Sequence, residues 1–549
     1  MSKSRQMGGG GHNTMAGISE KPKNFQDTLK KLAVYLKPYA LSIILVLLFA
    51  VGSAAFSIIG PVKLGDATTA IFEGLINKNK GIGVGIDFVY VCNILIFLLV
   101  LYLISASFGF IQSFIMSGVS QKVSYKLRKE ISEKINLMPL RYFDTKTHGE
   151  VLSRVTNDID TMSQSLNQIM TQFITSITTL IGVIIMMISI SKIMTFATIL
   201  LLPISGILIS IVVKKSQKYF KMQQEFLGGV NGKVEETYSG HNIVKAFNCE
   251  EDAISEFNEL NDKLYHSAWK SQFLSGMMMP IMNFIGNLGY VMVSILGGYL
   301  AIKGSITVGN IQAFIQYARM FNQPIAQTAQ IANLVQATIA SAERVFEFLE
   351  EDEEVQFAEN PIKLKSEGYD GVEIEGKVQF EHVNFGYSKD NIIINDFTVN
   401  VKPGQKVAIV GPTGAGKTTI VKLLMRFYDV NSGKLLIDGH DIKDFDRHDL
   451  RSIFGMVLQD TWLFNGPIKE NIRYGKLSAS DEEVIEAAKA ANVHHFVKTL
   501  PDGYNMVLNE EATNVSAGQK QLITIARAIL ADPKILILDE ATSSVDTRT

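Results

Sequence analysis

Hydrophobic and polar positions split this chain into two unlike halves. Between residues 39 and 340 long apolar runs recur, and a helix crossing a bilayer needs about 20 mostly apolar residues. That rule predicts about six spans: 39–64, 86–119, 169–191, 193–213, 273–303 and 307–340. Lys192 alone separates the third span from the fourth, so these two form a tight helical hairpin. Ahead of the first span, residues 24–35 are amphipathic, with Lys30 and Lys31 on the polar side. Such a segment either lies on a membrane surface or is an ordinary solvated helix end.

Past residue 340 the pattern changes. Residues 343–370 are charged and lack apolar periodicity apart from a helix end at 344–349, which reads as a linker. From Gly376 onward strands are expected near 378–385 and 392–401, followed by an apolar strand at 406–410. Near the end, Ile535, Leu536, Ile537 and Leu538 are four consecutive apolar residues, the pattern of a strand buried on both faces of a parallel sheet. The expected fold is an all-α six-helix membrane domain followed by an α/β P-loop domain. The expected boundaries are a flexible tail at 1–23, the membrane domain at 24–342, a linker at 343–375 and the α/β domain at 376–549.

Charge sets the orientation, because basic residues favour the cytoplasmic side. Lys122, Lys126, Arg128, Lys129, Lys134, Arg141, Lys146 and Arg154 follow the second span. Lys214, Lys215, Lys218, Lys221, Lys233, Lys245, Lys263 and Lys270 follow the fourth. The alternate loops hold only Lys78 and Lys80, then Lys192, then Lys303. The long basic segments and both termini are therefore expected in the cytoplasm. Their helical pattern implies helices that continue past the bilayer at about 1.5 Å per residue.

The chain has 549 residues, more than one domain of about 100–200 residues accounts for. A mean hydropathy of +0.17 fits a hybrid of membrane and soluble parts. The net charge of −2 speaks neither for nor against nucleic acid. Cys92 lies in an apolar span and Cys249 in a hydrophilic loop, so neither a disulfide nor a cysteine metal site is expected. No cleavable signal peptide is expected, and residues 1–17, with glycines 8–11, read as tail.

The candidate chemistry centres on Gly411, Pro412, Thr413, Gly414, Ala415, Gly416, Lys417 and Thr418, with Thr419 directly behind them. Glycines let successive backbone N–H groups turn toward one anion, and a following helix adds the positive end of its dipole. Lys417 is placed to reach the β- and γ-phosphates of ATP, and the Thr418 hydroxyl to sit on Mg²⁺. The plain alternative is a Gly-rich strand–helix turn without a ligand. Asp539 closes the apolar run and is placed to reach the Mg²⁺. Glu540 would face a water attacking the γ-phosphate, as general base or orienting group. Tyr387 either stacks on adenine or is a surface tyrosine in a turn.

The sixth span is unusually polar, with Asn310, Gln312, Gln316, Arg319, Asn322, Gln323, Gln327, Gln330, Asn333 and Gln336. Many are three or four apart and so share a face. They either line a solute cavity or hold helices together. Arg319 is either a substrate contact or half of a structural ion pair. Met277, Met278 and Met279 offer an adaptable binding wall or plain packing.

On these residues the resemblance is to the ATP-binding cassette (ABC) family. Gly411 to Thr418, Gln459, Ser516 to Gln519, Asp539–Glu540 and the Ser543, Ser544, Val545, Asp546 run match the order and spacing of its nucleotide-binding domain. Spans followed by a cassette resemble an exporter half-transporter, over residues 25–549. The resemblance implies that Tyr387 stacks on adenine, and that Gln459 senses Mg²⁺ and couples to the membrane half. It implies that Ser516, Gly518 and Gln519 serve the nucleotide of the opposite subunit, and that Asp546 links the two sites. Residues 142–150 and 238–243 match the two cytoplasmic coupling-helix regions.

Two departures matter. The family signature is Leu-Ser-Gly-Gly-Gln, and here Val515 and Ala517 replace two members. An intact Glu540 beside an altered signature resembles one subunit of a heterodimeric multidrug exporter. The family also has a histidine beyond the Asp546 region, which this chain, ending at Thr549, does not contain; a C-terminally incomplete cassette is the expectation. The implied function is ATP-driven export of drug-like or lipid cargo through the cytoplasmic membrane, with ATP and Mg²⁺ as cofactors. The implied partners are a second half-transporter, the lipid bilayer and an amphipathic or hydrophobic small molecule. A homodimeric lipid or peptide exporter and an ATP-gated regulatory membrane protein are the alternatives. A DNA-repair ATPase is excluded by the spans, and no nucleic-acid partner is expected.

Overall fold

The computed structural model describes residues 24–81, 85–365, 371–388, 391–412, 414–459, 461–510 and 512–541. Within them, the side chains at 148, 202, 322, 323, 325, 326, 328–330, 332 and 333 fall outside the description. The chain forms two compact units. One runs to Ser132 and resumes over Gly149–Glu350; the other joins Glu133–His148 to the chain from Glu351 onward.

The first unit is helical. After α1 (Phe25–Leu36) come α2 (Ala40–Asn79) and α3 (Phe88–Leu137). The short α4 (Leu140–Thr145), which belongs to the second unit, and α5 (His148–Ser153) lead into α6 (Ile159–Ile190). Then follow α7 (Lys192–Ser239), α8 (His241–Ala246), α9 (Glu250–Gly276), α10 (Met278–Ile302) and α11 (Val308–Glu350). The hairpin expected at Lys192 turns on one residue: Ser191 ends α6 and caps α7 by accepting a bond from Met194 N at 3.4 Å. At 50 and 48 residues, α3 and α7 far exceed the roughly 20 that a bilayer needs.

Among the described residues five helical stretches are long and apolar enough to cross a membrane, and only 6–28% of their most apolar windows is buried in protein. Leu41, Phe88, Phe110 and Phe114 are each more than 70% exposed. Water would penalise such surfaces, whereas lipid is their matching solvent. The sixth predicted span is a helix, α11, but it is not among the five, since its amides lower its hydropathy. It packs against α6 and α2 instead. Gly65 and Gly309 make the approach to α2 possible: a Cβ on Gly65 would lie 2.6 Å from Gly309 O. The amphipathic α1 lies on the far end of α11, where Tyr35 stacks on Phe346 and Lys31 pairs with Glu350 at 2.6 Å.

The second unit holds the sheets. An antiparallel sheet has the order β2-β1-β3-β4, from β1 (Val378–Phe385), β2 (Ile394–Val401), β3 (Ser432–Ile437) and β4 (His440–Asp441). It packs over α12 (Lys417–Leu424) and α13 (Arg447–Ser452), with Val383, Leu423, Ile437, Phe445 and Leu450 fully buried. A parallel pair joins β5 (Phe454–Val457) to the last strand, and a small pair joins β6 (Gly466–Pro467) to β7 (Val507–Leu508). The helices α14 (Ile468–Arg473), α15 (Asp481–Ala490), α16 (His494–Thr499) and α17 (Ala517–Ala531) precede that last strand, β8 (Ile535–Leu538). They bury a second core around Ile468, Ile472, Val493, Val497 and Ile523.

Two strand expectations are corrected. Residues 406–410 form no regular strand, and Val407, Ile409 and Val410 are 51%, 45% and 87% exposed. β8 is not buried on both faces: Ile537 is covered, but Leu536 and Leu538 are 52% and 57% exposed. One physical reason serves both. Apolar sequence favours burial, but burial needs a neighbour, and among the described residues β8 is paired on one edge only, by β5.

Candidate functional site

The P-loop turns on glycine. Gly414 and Gly416 both have φ of +88°, a region that side chains rarely occupy. Gly416 is also the N-cap of α12, and a Cβ there would lie 2.8 Å from Ile394 Cδ1. The loop therefore delivers Lys417 and Thr418 at the head of a helix whose first N–H groups point outward. Lys417 Nζ donates to Gly411 O at 2.7 Å and Pro412 O at 3.2 Å, which holds the ammonium across the mouth of the loop. Ala415 N donates to Pro412 O at 3.1 Å and tightens the same turn.

β8 brings its carboxylates to this mouth. Thr418 Oγ1 donates to Asp539 Oδ2 at 3.2 Å, and Gln459 Nε2 donates to Glu540 Oε2 at 2.8 Å. Glu540 sits at φ +50°, an uncommon conformation for a residue with a side chain. Four hard oxygen or amide donors thus converge from three separate segments. The described residues contain no cluster of three His, Cys, Asp or Glu groups fit to hold a metal. Mg²⁺ takes one or two protein oxygens and fills its shell with water and substrate phosphates, and Thr418 and Asp539 offer two such oxygens side by side. The residues fit the ion and the nucleotide.

Tyr387 lies beside the loop, half-exposed, with its hydroxyl 3.3 Å from Thr419 Oγ1. Its ring meets Tyr428 edge-on, centroids 5.0 Å apart and planes at 83°. Ser516 and Gln519 have a different local role. Ser516 Oγ accepts from Gln519 N at 3.3 Å, while Gln519 Oε1 accepts from Ser516 N at 2.8 Å, a capping box that starts α17. Neither bonds to a P-loop residue among those described. Val515 is buried in the second core, whereas Ala517 is exposed. The predicted Thr413 and Asp546 lie outside the described residues, as do Ser543, Ser544 and Val545.

Sequence reasoning missed a polar knot within the second unit. Asp144 on α4 accepts from the Tyr428 hydroxyl and pairs with Lys422 Nζ at 3.3 Å. Burial, then the bond to Asp144, push the Tyr428 phenol far above its ordinary value, so it stays a donor at physiological pH. Lys422 Nζ also lies 5.8 Å from the centroids of both Tyr387 and Tyr428. Nothing local in the sequence announces this, since its partners are 284 positions apart. The capping box was missed as well, although it carries a local signal, Ser-x-x-Gln. Replacing Asp144 by Asn should lower thermal stability modestly, by about 1 kcal/mol, because the partners are partly exposed. The check is a double-mutant cycle with Tyr428→Phe, followed by thermal unfolding: additive losses would show that the two residues do not act together.

In the membrane unit, three of the α11 amides line two cavities. Gln312, Gln316 and Arg319 line one of about 480 Å³, beside Tyr290 and Ser294. Gln327 lines another of about 420 Å³ and accepts a bond from Ser176 at 2.9 Å. Asn322, Gln323, Gln330 and Asn333 have side chains outside the description. Met277, Met278 and Met279 are in neither cavity, and Met279 is 69% exposed.

A helical membrane unit joined to a P-loop nucleotide-binding unit defines a membrane ATPase of the transporter class. Comparison narrows it. A family model described as the ABC transporter transmembrane region matches residues 43–325, and one described as ABC transporter matches 394–543. The chain is 43% identical to a fatty acid ABC transporter ATP-binding/permease protein of Mycobacterium bovis, covering 96% of this chain and 87% of that one. It is 38% identical to a putative multidrug export ATP-binding/permease protein of Bacillus subtilis, over 78% and 73% of the two chains. It is 34% identical to an ATP-dependent lipid A-core flippase of Syntrophus aciditrophicus, over 82% and 74%. The chain belongs to the ABC transporters: it is an exporter half-transporter, integral to the membrane, that hydrolyses ATP to drive transport and acts as a dimer.

Proposed function

We propose that this half-transporter exports amphipathic lipid or drug-like molecules across the cytoplasmic membrane as one subunit of a heterodimer. Its cassette and both termini lie in the cytoplasm, as the basic residues after the second and fourth spans support. The observation that carries the hydrolytic part is the meeting of Thr418 with Asp539 and of Gln459 with Glu540 at one loop mouth. In this reading Gly411, Thr413, Gly414, Ala415, Gly416, Lys417 and Thr419 hold the phosphates of ATP and Tyr387 its adenine. Thr418, Asp539 and Gln459 hold Mg²⁺, which would offset phosphate charge. Glu540 then accepts a proton from, or orients, the attacking water. Ser516, Gly518 and Gln519 face the partner's nucleotide, with Asp546 linking the two sites.

The exposed Ala517 methyl, where the family has glycine, supports an asymmetric pair. It would hinder close backbone approach to the partner's phosphate, so the ATP clamped there turns over slowly. The test is co-expression of the full-length chain with a half-transporter carrying an intact signature. ATPase activity of the pair should greatly exceed the sum of the separate chains. A vigorous homodimer of the full-length chain would reject the heterodimer and establish a homodimeric exporter.

A further inference from the structure

The cavity around Arg319 has a charge that nothing in it balances. Arg319 lies 11 residues past Val308, the start of α11, so about 16 Å along the helix, and falls within the region matched as transmembrane. Of the residues lining the cavity it alone is charged. Among the described residues no carboxylate pairs with it. α10, across the cavity, contains no Asp or Glu, and on α2 Asp66 is already paired with Lys63 at 3.0 Å. Gln312 is held by the Thr68 hydroxyl. Gln316, Tyr290 and Ser294 line the same cavity as polar groups, while Val308, Ile311 and Ile315 supply an apolar wall. A cation at membrane depth is costly unless water or an anion meets it. A guanidinium matches the paired oxygens of a carboxylate or phosphate better than any other group.

We infer that Arg319 anchors the headgroup of an anionic amphiphile, a carboxylate or phosphate whose apolar part lies along Val308, Ile311 and Ile315. The inference rests on the export reading and narrows its cargo: charge, and not hydrophobicity alone, selects what enters. It also distinguishes this cavity from the one at Gln327, which is lined by hydroxyls and amides and by no charged group.

The experiment uses the full-length transporter in nanodiscs of neutral lipid. Stimulation of ATPase activity is titrated with dodecanoic acid, its methyl ester, dodecyl phosphate and dodecyltrimethylammonium. The readout is the ratio of half-maximal concentrations between ester and acid within each variant, which cancels differences in overall activity. The acid should act at about tenfold lower concentration than the ester, the advantage of one charge-assisted contact worth roughly 1.4 kcal/mol. Arg319→Gln should bring the ratio to about one, Arg319→Lys should keep most of it, and Arg319→Glu should favour the cation. Comparing the acid with dodecyl phosphate separates a carboxylate preference from a phosphate preference. A ratio near one in the unaltered protein, no response to any amphiphile, or a ratio unchanged in Arg319→Gln overturns the inference. Failure of the export reading looks different: no ATP-dependent movement of any cargo into sealed vesicles.

Discussion

Glu540→Gln should lower ATP turnover by about 10²–10⁴-fold, the usual contribution of a positioned general base, and leave ATP binding intact. Gln keeps the size of the side chain and can still hydrogen-bond Gln459, whose amide donates to Glu540 at 2.8 Å. What it loses is the carboxylate's basicity toward water. The structure makes the comparison clean, because Glu540 is exposed and no described ion pair depends on its charge. The measurement is single-turnover hydrolysis beside equilibrium ATP binding, in the full-length transporter with its partner. Turnover within a few-fold of the parent would remove Glu540 from the catalytic role.

Lys417→Ala should act one step earlier and weaken ATP binding at least ~30-fold, the effect of about 2–5 kcal/mol when one partner of a hydrogen-bonded charge pair is truncated. Lys417 is the cation at the mouth of the loop, and its bonds to Gly411 O and Pro412 O show that its stem already spans that opening. Removing it also leaves those two carbonyls without their donor, so some loss of local order adds to the loss of charge. Nucleotide affinity measured without hydrolysis is the direct test. An affinity within about twofold of the parent, under a standard in which 1.4 kcal/mol is tenfold, would mean that the loop's N–H groups alone hold the phosphates. The two variants separate the steps: one should bind without turning over, the other should fail to bind.

What the sequence by itself determined is what local chemistry specifies. A helix satisfies its own backbone, so an apolar run of sufficient length reads as a span without knowledge of its neighbours, and the hairpin at Lys192 came out within a residue. The P-loop was legible because its glycines answer a backbone need within one turn, visible as φ of +88° at Gly414 and Gly416. The amide-rich face of the sixth span was legible as a 3.6-residue period, and Gln312, Gln316 and Arg319 do share a cavity. Tertiary structure decided everything that requires a distant partner. Asp144 and Tyr428 meet across 284 positions and no local pattern encodes that pair, whereas Thr418 and Asp539, 121 positions apart, were each placed toward one Mg²⁺ by their own motifs and the fold supplied the contact. It also decided that residues 406–410 and one face of β8 stand uncovered. An apolar stretch states a preference for burial, but a strand, unlike a helix, has its hydrogen bonds and its cover supplied by other segments, so only the assembled fold tells whether they are there.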